Sequence, residues 1–226
     1  MKRLSVLLLS LLCACTTTKH VSSRDALYSN EQEWKVKIRD GWLSAKTIAF
    51  GPYTTSSRKN GVTDAMAVSF IKDPKNPFSF YTTGNDERIL VQTMNTNLVA
   101  FSSRPLPTLF NGISQDTPIY YTLINGSGND PLKRWEMVLR TSSYMELNDN
   151  KPAGILRSPT TDIRITAHNR FGKVNSYEKI CYEFQYRGQP VAAVMPGENP
   201  RVWVSKDTDA ATAKTLAAAI AALLLK

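Results

Sequence analysis

The sequence predicts a mainly β protein: an antiparallel barrel or sandwich of about ten strands that ends in one hydrophobic helix. Beyond residue 34, apolar and polar residues alternate with a period of two in short runs, as in half-buried strands. Turn-forming clusters rich in Gly, Asn and Asp separate many of these runs. The alanine- and leucine-rich C-terminus breaks the pattern. We find little helical pattern between the runs, which argues against alternating strand and helix units.

The N-terminus has the pattern of an export signal. Lys2 and Arg3 are followed by an apolar run, residues 4–12, that is too short to span a bilayer. The sequence Leu-Cys-Ala-Cys that ends at Cys15 resembles the lipobox of bacterial lipoproteins. Cys13 is a poorer candidate, since bulky Leu12 would precede the cut. An ordinary secretory signal and a buried N-terminal strand are the alternatives.

The lipobox resemblance implies that residues 1–14 are removed and that Cys15 is lipidated. Several acyl chains make a durable anchor, because each buried methylene adds about 0.8 kcal/mol. Thr16, rather than an aspartate, follows the cysteine, which by analogy with the best-known sorting rule implies the outer membrane. We therefore expect a protein of the bacterial cell envelope that this anchor attaches to the outer membrane. The protein would face the periplasm or the cell surface.

Residues 15–33 are mostly polar, and Leu27 and Tyr28 are among their few apolar members. We interpret them as a flexible tether with a root-mean-square span on the order of 25 Å. Residues 34–226 then form a single domain, because no repeat, low-complexity tract or second linker interrupts them.

The chain is basic, and this charge limits its partners. Loss of Lys2 and Arg3 with the signal reduces the formal net charge from +9 to +7. Because exported proteins rarely meet nucleic acid, we predict no nucleic acid partner and favour an anionic lipid, a glycan or an envelope protein. Arg164, Arg170 and Arg187 are the candidate ligand-binding residues. A solvated basic face is the alternative.

Strand boundaries follow from the alternation and the turn signals. The clearest case is 34–39, where apolar and basic residues alternate without a slip. Residues 130–140 are ambiguous, because Asp130 and Pro131 suit a helix start while Trp135, Met137 and Leu139 alternate as in a strand. The remaining predicted strands are 47–54, 65–71, 77–83, 88–94, 98–103, 118–124, 162–168, 177–186, 190–195 and 201–204.

The C-terminal helix is predicted at 208–225. Asp207 and Asp209 supply helix-start residues, and the segment 216–225 has no polar face. Ten residues rise only about 15 Å, half of the hydrocarbon core, so a membrane span is disfavoured. We expect the helix to be buried within the sheet, where small alanine side chains allow close approach.

The end of the chain, residues 182–194, 201–204 and the helix, resembles the tubby-like architecture. In tubby-like proteins a terminal helix threads an antiparallel barrel, and the resemblance implies the same arrangement here. It rests on the order of elements alone. It therefore implies a lipid-facing or scaffold role only by analogy, and no phosphoinositide-binding residue is carried over. The chain also resembles bacterial lipoproteins of similar size, which implies no particular activity.

The residues offer little catalytic chemistry, and we predict no catalytic residue, no metal site and no cofactor. Of the two histidines, His20 lies in the predicted tether and His168 follows the outward parity of its strand, which predicts a surface histidine. Cys181 falls on the more polar face of its strand, where Lys179 would lower the thiol pKa. Only proximity in the chain links Cys181 to His168.

Three hypotheses follow from different classes of protein. We favour a non-enzymatic lipoprotein that binds a lipid, a glycan or an envelope protein. The first alternative is a structural accessory subunit of an envelope complex, which would carry an exposed apolar patch. The second is a Cys-dependent enzyme, which needs clustered titrating groups around Cys181.

Overall fold

The structure is a computed structural model that describes residues 26–41, 44–61, 71–72, 74–96, 98–99, 107–111, 118–125, 134–140, 150–172 and 179–226. Its C-terminal helix, α1, spans Ala210–Leu225, and a short 3₁₀ helix spans Thr108–Phe110. The strands are β1 (Glu33–Trp34), β2 (Val36–Gly41), β3 (Ser44–Phe50), β4 (Tyr53–Thr55), β5 (Lys59–Asn60), β6 (Ile71–Lys72), β7 (Lys75–Gly84), β8 (Glu87–Thr96), β9 (Leu98–Val99), β10 (Ile119–Ile124), β11 (Trp135–Arg140), β12 (Lys151–Arg157), β13 (Asp162–His168), β14 (Cys181–Tyr186), β15 (Gln189–Met195) and β16 (Arg201–Val204).

The predicted antiparallel β class is confirmed, in the form of a nearly closed, barrel-like sheet. Fourteen of the described strands form one sheet, somewhat more than the ten expected. Its two end strands, β1 and β2, are consecutive in the chain and are separated only by Lys35. Because β1 pairs with β16 and β2 pairs with β3, one continuous segment connects the two ends of the sheet.

Helix α1 fills the inside of this sheet. Residues 216–225 are buried, and the helix contacts strands from opposite parts of the sheet, including β7, β10 and β15. Asp209 caps the helix, because its carboxylate accepts a hydrogen bond of 2.9 Å from the Thr212 N–H. Near the other end, the Tyr120 hydroxyl donates to the Ala222 carbonyl at 2.8 Å. The predicted burial of a helix without a polar face is confirmed.

Several predicted elements differ in their boundaries. The expected strand 47–54 is divided into β3 and β4 by a turn at Gly51, whose φ of +51° favours glycine. The ambiguous segment 130–140 contains β11, so its alternation was the better guide.

Strand β12 was missed, since Pro152 and Gly154 are atypical of strands. Gly154 is required there, because a Cβ would clash with the Val138 carbonyl. Expected strands 65–71 and 98–103 lie mostly outside the described residues.

The expected tether differs from the structure where it can be compared. Residues 26–34 are here called the N-terminal segment; its first part packs against the outside of the sheet, and its last two residues join the sheet as β1. Leu27 is buried, the Tyr28 ring lies on Trp203, and β1 begins at Glu33. The prediction treated this stretch as flexible because it is mostly polar, and it gave too little weight to the adjacent apolar pair Leu27 and Tyr28.

Candidate functional site

His168 and Cys181 are direct neighbours on adjacent strands. They are register partners in the pairing of β13 with β14, and their exposed fractions are 3% and 0%. The alternation pointed both side chains correctly away from the barrel interior. The prediction of a surface histidine is nevertheless wrong, because the N-terminal segment covers this part of the outer face.

Tyr28 links the groups on this outer face. Its hydroxyl donates to Glu183 Oε2 at 2.9 Å and lies 2.7 Å from His168 Nε2. The Arg170 N–H donates to His168 Nδ1 at 3.3 Å. With Nδ1 as an acceptor, a neutral imidazole carries its proton on Nε2 and donates to the Tyr28 oxygen. The hydrogen bonds therefore run in one direction, from the backbone through His168 and Tyr28 to the Glu183 carboxylate.

Glu183 is the acceptor at the end of this chain, and its side chain is fully buried. Its second carboxylate oxygen, Oε1, accepts from Asn150 Nδ2 at 3.0 Å and from Gln185 Nε2 at 2.7 Å. Three side chains from different parts of the chain thus hold one carboxylate, as a buried acidic group requires. We call Tyr28, His168, Cys181 and Glu183 the outer cluster.

The Cys181 thiol lies beside the outer cluster's hydrogen bonds, with Sγ 3.9 Å from the Tyr28 hydroxyl. Burial raises its pKa to about 12, against the expectation that Lys179 would lower it. The same burial raises the pKa of the Tyr28 hydroxyl far above its usual value, and nearby Cys181 and Glu183 raise it further. Both groups are therefore protonated at neutral pH. Because the thiolate is the nucleophile of cysteine chemistry, this environment disfavours nucleophilic catalysis.

Aromatic side chains surround the outer cluster. Tyr28 meets Trp203 and Phe171 edge to face, with centroids 5.1 and 5.4 Å apart, and Phe171 stacks on Trp203 at 5.3 Å. Arg170 lies over the Tyr28 ring at 4.7 Å. These contacts position the N-terminal segment through large, rigid side chains.

An open cleft of about 620 Å³ lies beside this aromatic group, where β2 diverges from β16. We call it the seam cleft. Its apolar lining consists of Val36, Ile38, Phe171 and Met195. Its charged and polar lining consists of Glu33, Lys179, Glu198, Asn199 and Arg201, with Pro200 beside them.

The Glu33–Arg201 ion pair forms part of the cleft lining and joins β1 to β16 at the seam, the place where the two ends of the sheet meet. Arg201 Nε and Nη2 donate to the two Glu33 carboxylate oxygens at 2.8 and 2.6 Å. This two-point contact holds the pKa of Glu33 below its ordinary value of 4.5. It fixes β1 on β16 and so sets the position at which β2 begins.

The three predicted ligand-binding arginines do not form one site. Arg164 pairs in register with Gln185, near the β14–β15 turn that contains Arg187. Arg170 lies in the turn that follows the other end of β13, two residues after His168. The structure brings Arg164 and Arg187 to one end of the sheet and places Arg170 on the outer cluster.

The remaining sequence predictions concern Cys15, His20, a metal site and a membrane-spanning helix. Cys15 and His20 lie outside the described residues. In the part of the chain that the structure covers, no three His, Cys, Asp or Glu side chains are arranged to hold a metal ion. Within the same ranges, no helix has both the length and the apolarity needed to cross a bilayer.

Sequence reasoning missed the residues that organise this site. Tyr28 was assigned to the tether, and Glu183 was given no role. The available signal for Tyr28 was the apolar pair Leu27 and Tyr28 inside a polar stretch. For Glu183, the strand parity placed it beside Cys181, but nothing in the sequence indicates which segment covers that face.

The fold and site define a mainly β, barrel-like protein with an internal terminal helix and a cleft at its seam. Comparisons of the chain with protein-family models, with curated proteins and with solved structures find no match.

Proposed function

We propose that the protein is a lipid-anchored, non-enzymatic binding module of the bacterial cell envelope and that the seam cleft is its binding site. The seam cleft is the observation that carries this proposal. Its lining combines apolar residues, which can bury part of a ligand, with charged residues, which can orient it.

The rest of the fold supports a binding site on the outside. Helix α1 occupies the barrel interior, so the inner face of the sheet is used for packing. The one cysteine–histidine pair among the described residues is buried, and its thiol pKa is raised to about 12. A binding role therefore fits the chemistry better than a thiol enzyme does.

Part of the cleft lining is close in sequence to the expected anchor. Glu33, at the end of the N-terminal segment, forms part of its lining, and this segment leads back to Cys15. A ligand on the membrane surface or on a neighbouring envelope protein would be within reach of such a site. The enclosed terminal helix supports our further proposal of a tubby-like architecture.

Native mass spectrometry of the full chain, released from lipid nanodiscs, tests the proposal. The wall residue Asn199 is exposed, and Asn199→Trp would fill the cleft, while Asn60→Trp makes the same change at an exposed site on β5. We expect a retained lipid or glycan that Asn199→Trp loses and Asn60→Trp keeps, or a protein crosslinked from a photoreactive group at position 38. An adduct retained by Asn199→Trp would overturn the proposal. So would the absence of both an adduct and a crosslink.

A further inference from the structure

One side of the seam cleft is formed by β2, whose outer edge has no paired strand among the described residues and is here called the open edge. Among the described residues, β2 is the last strand of the large sheet and pairs only with β3. An unpaired strand edge carries a row of backbone donors and acceptors that can accept another strand.

The register shows which backbone groups face this edge. The Ile48 N–H donates to Thr55 Oγ1 at 2.9 Å, on the side of β4, so its backbone groups point away from β2. Ile38 is the register partner of Ile48. In an antiparallel pair the two residues of such a position both turn their N–H and C=O groups outward. The backbone of Ile38, and of Val36 two residues earlier, therefore points to the open edge.

The side chains of the same strand differ sharply between its two faces. Val36 and Ile38 line the seam cleft, and Ile38 is 39% exposed, which makes it the exposed large hydrophobic residue of the described part of the chain. Lys37 and Arg39 are exposed on the opposite face. Along residues 36–39, an added strand would meet apolar side chains on the cleft side and cations on the other. Asp40 follows at the irregularity between Arg39 and Gly41.

This charge pattern selects between partners. Like charges opposite each other in a sheet are destabilising, so Lys37 and Arg39 oppose pairing between two copies of this edge. Acidic side chains opposite them would be stabilising. The length of β2, six residues or about 20 Å, sets the length of strand that could pair with it.

We propose that the open edge of β2 binds an extended segment of another envelope protein, with alternating acidic and apolar residues, as an added strand. This inference rests on the proposed function and names the partner class of the seam cleft. Backbone hydrogen bonds with β2 supply the affinity. The cleft accepts the apolar side chains of the partner, and Lys37 and Arg39 pair with its acidic side chains.

The probe is a capped octapeptide of alternating Glu and Val, titrated into the full chain in nanodiscs by calorimetry. Matched peptides replace Glu by Lys, or carry N-methyl groups on alternate backbone nitrogens. We expect the Glu peptide to bind and to protect the Ile38 amide from hydrogen exchange. The Lys peptide and the N-methylated peptide should bind about tenfold more weakly or not at all.

Two variants connect binding to the edge. Ile38→Pro removes an outward N–H and should abolish binding without changing the thermal unfolding of the barrel. Lys37→Glu combined with Arg39→Glu should reverse the preference, so that the Lys peptide binds better. The inference would be overturned if neither the N-methyl groups nor the charge reversal changed the affinity of the peptide.

The outcomes separate the two proposals. If no peptide binds but a lipid or glycan is retained and is lost in Asn199→Trp, the strand-pairing inference fails and the binding function stands. If no peptide binds, no adduct is retained and no protein crosslinks at position 38, both fail.

Discussion

The two faces of one sheet are buried in different ways. The inner face is covered by helix α1, and the contact is almost wholly apolar. The outer face of β13 to β16 is covered by the N-terminal segment, and there a buried carboxylate, Glu183, accepts hydrogen bonds from Tyr28, Asn150 and Gln185. The inner contact depends on volume, whereas the outer contact also depends on the direction of each donor.

This difference predicts different responses to substitution. Apolar burial is non-directional, so the inner face responds to lost volume. A buried hydrogen bond that loses one partner leaves the other unsatisfied, so the outer face responds to the loss of single polar atoms. The seam cleft lies at the boundary of the two regions, where the Glu33–Arg201 pair fixes β1.

Truncation of the inner face should have the largest effect. Phe184 is fully buried against the apolar core, and Phe184→Ala should lower the free energy of unfolding by about 3–5 kcal/mol. Denaturant unfolding of the full chain in detergent measures it. Phe171→Ala removes the same ring from a half-buried position outside the sheet and should cost clearly less. Equal losses would remove the distinction between the two regions.

Loss of one oxygen on the outer face should have an intermediate effect. Tyr28→Phe keeps the ring contacts but leaves His168 and Glu183 without their shared partner, which should cost about 1–3 kcal/mol. Tyr81→Phe is the matched control, because its half-exposed ring packs under Arg88. The same unfolding experiment measures both. If Tyr28→Phe left the free energy of unfolding unchanged, the hydrogen bonds of the Tyr28 hydroxyl would add no stability to the packing of its ring.

Acidification should weaken the Glu33–Arg201 contact between β1 and β16, and we expect this to be the smallest of the three effects. The pKa of Glu33 is held below its ordinary value of 4.5, so the pair with Arg201 is fully stabilising above that pH and is lost as the pH falls through the lowered pKa. Hydrogen exchange of residues 33–36 between pH 6 and pH 3 follows this change, after correction for intrinsic exchange rates. Arg201→Gln should remove most of the dependence. A pH profile unchanged by that substitution would assign the effect to another group.

The inner region could be predicted from the sequence because one physical rule decides it. Alternation in the strand 162–168 puts Ile163 and Ile165 on the face opposite His168, and both are fully buried. The end of the helix 208–225 has no polar face and therefore has to be buried. Each inference needs only the residues of the element itself. The missed strand β12 shows the limit, since Gly154 is chosen for its close approach to a neighbouring strand that the local sequence does not contain.

The outer region could be predicted only in part. Parity placed Cys181 and His168 on the outer face, which is correct, but their burial depends on Leu27 and Tyr28, more than 130 positions earlier. A covering segment without strong periodicity leaves no local signal. The seam cleft was missed for the same reason, because its walls come from β2 and from the loop before β16.

Labelling of Cys181 tests most directly whether the N-terminal segment covers the outer face. The full chain is treated with a maleimide at pH 8 under native conditions, and the modified residue is located by peptide mass mapping. We predict that Cys181 labels far more slowly than in the unfolded chain, because the thiol is fully buried and its pKa is raised to about 12. Tyr28→Ala should accelerate labelling by opening the segment. Rapid labelling of the native chain would contradict the covered outer face and the account built on it.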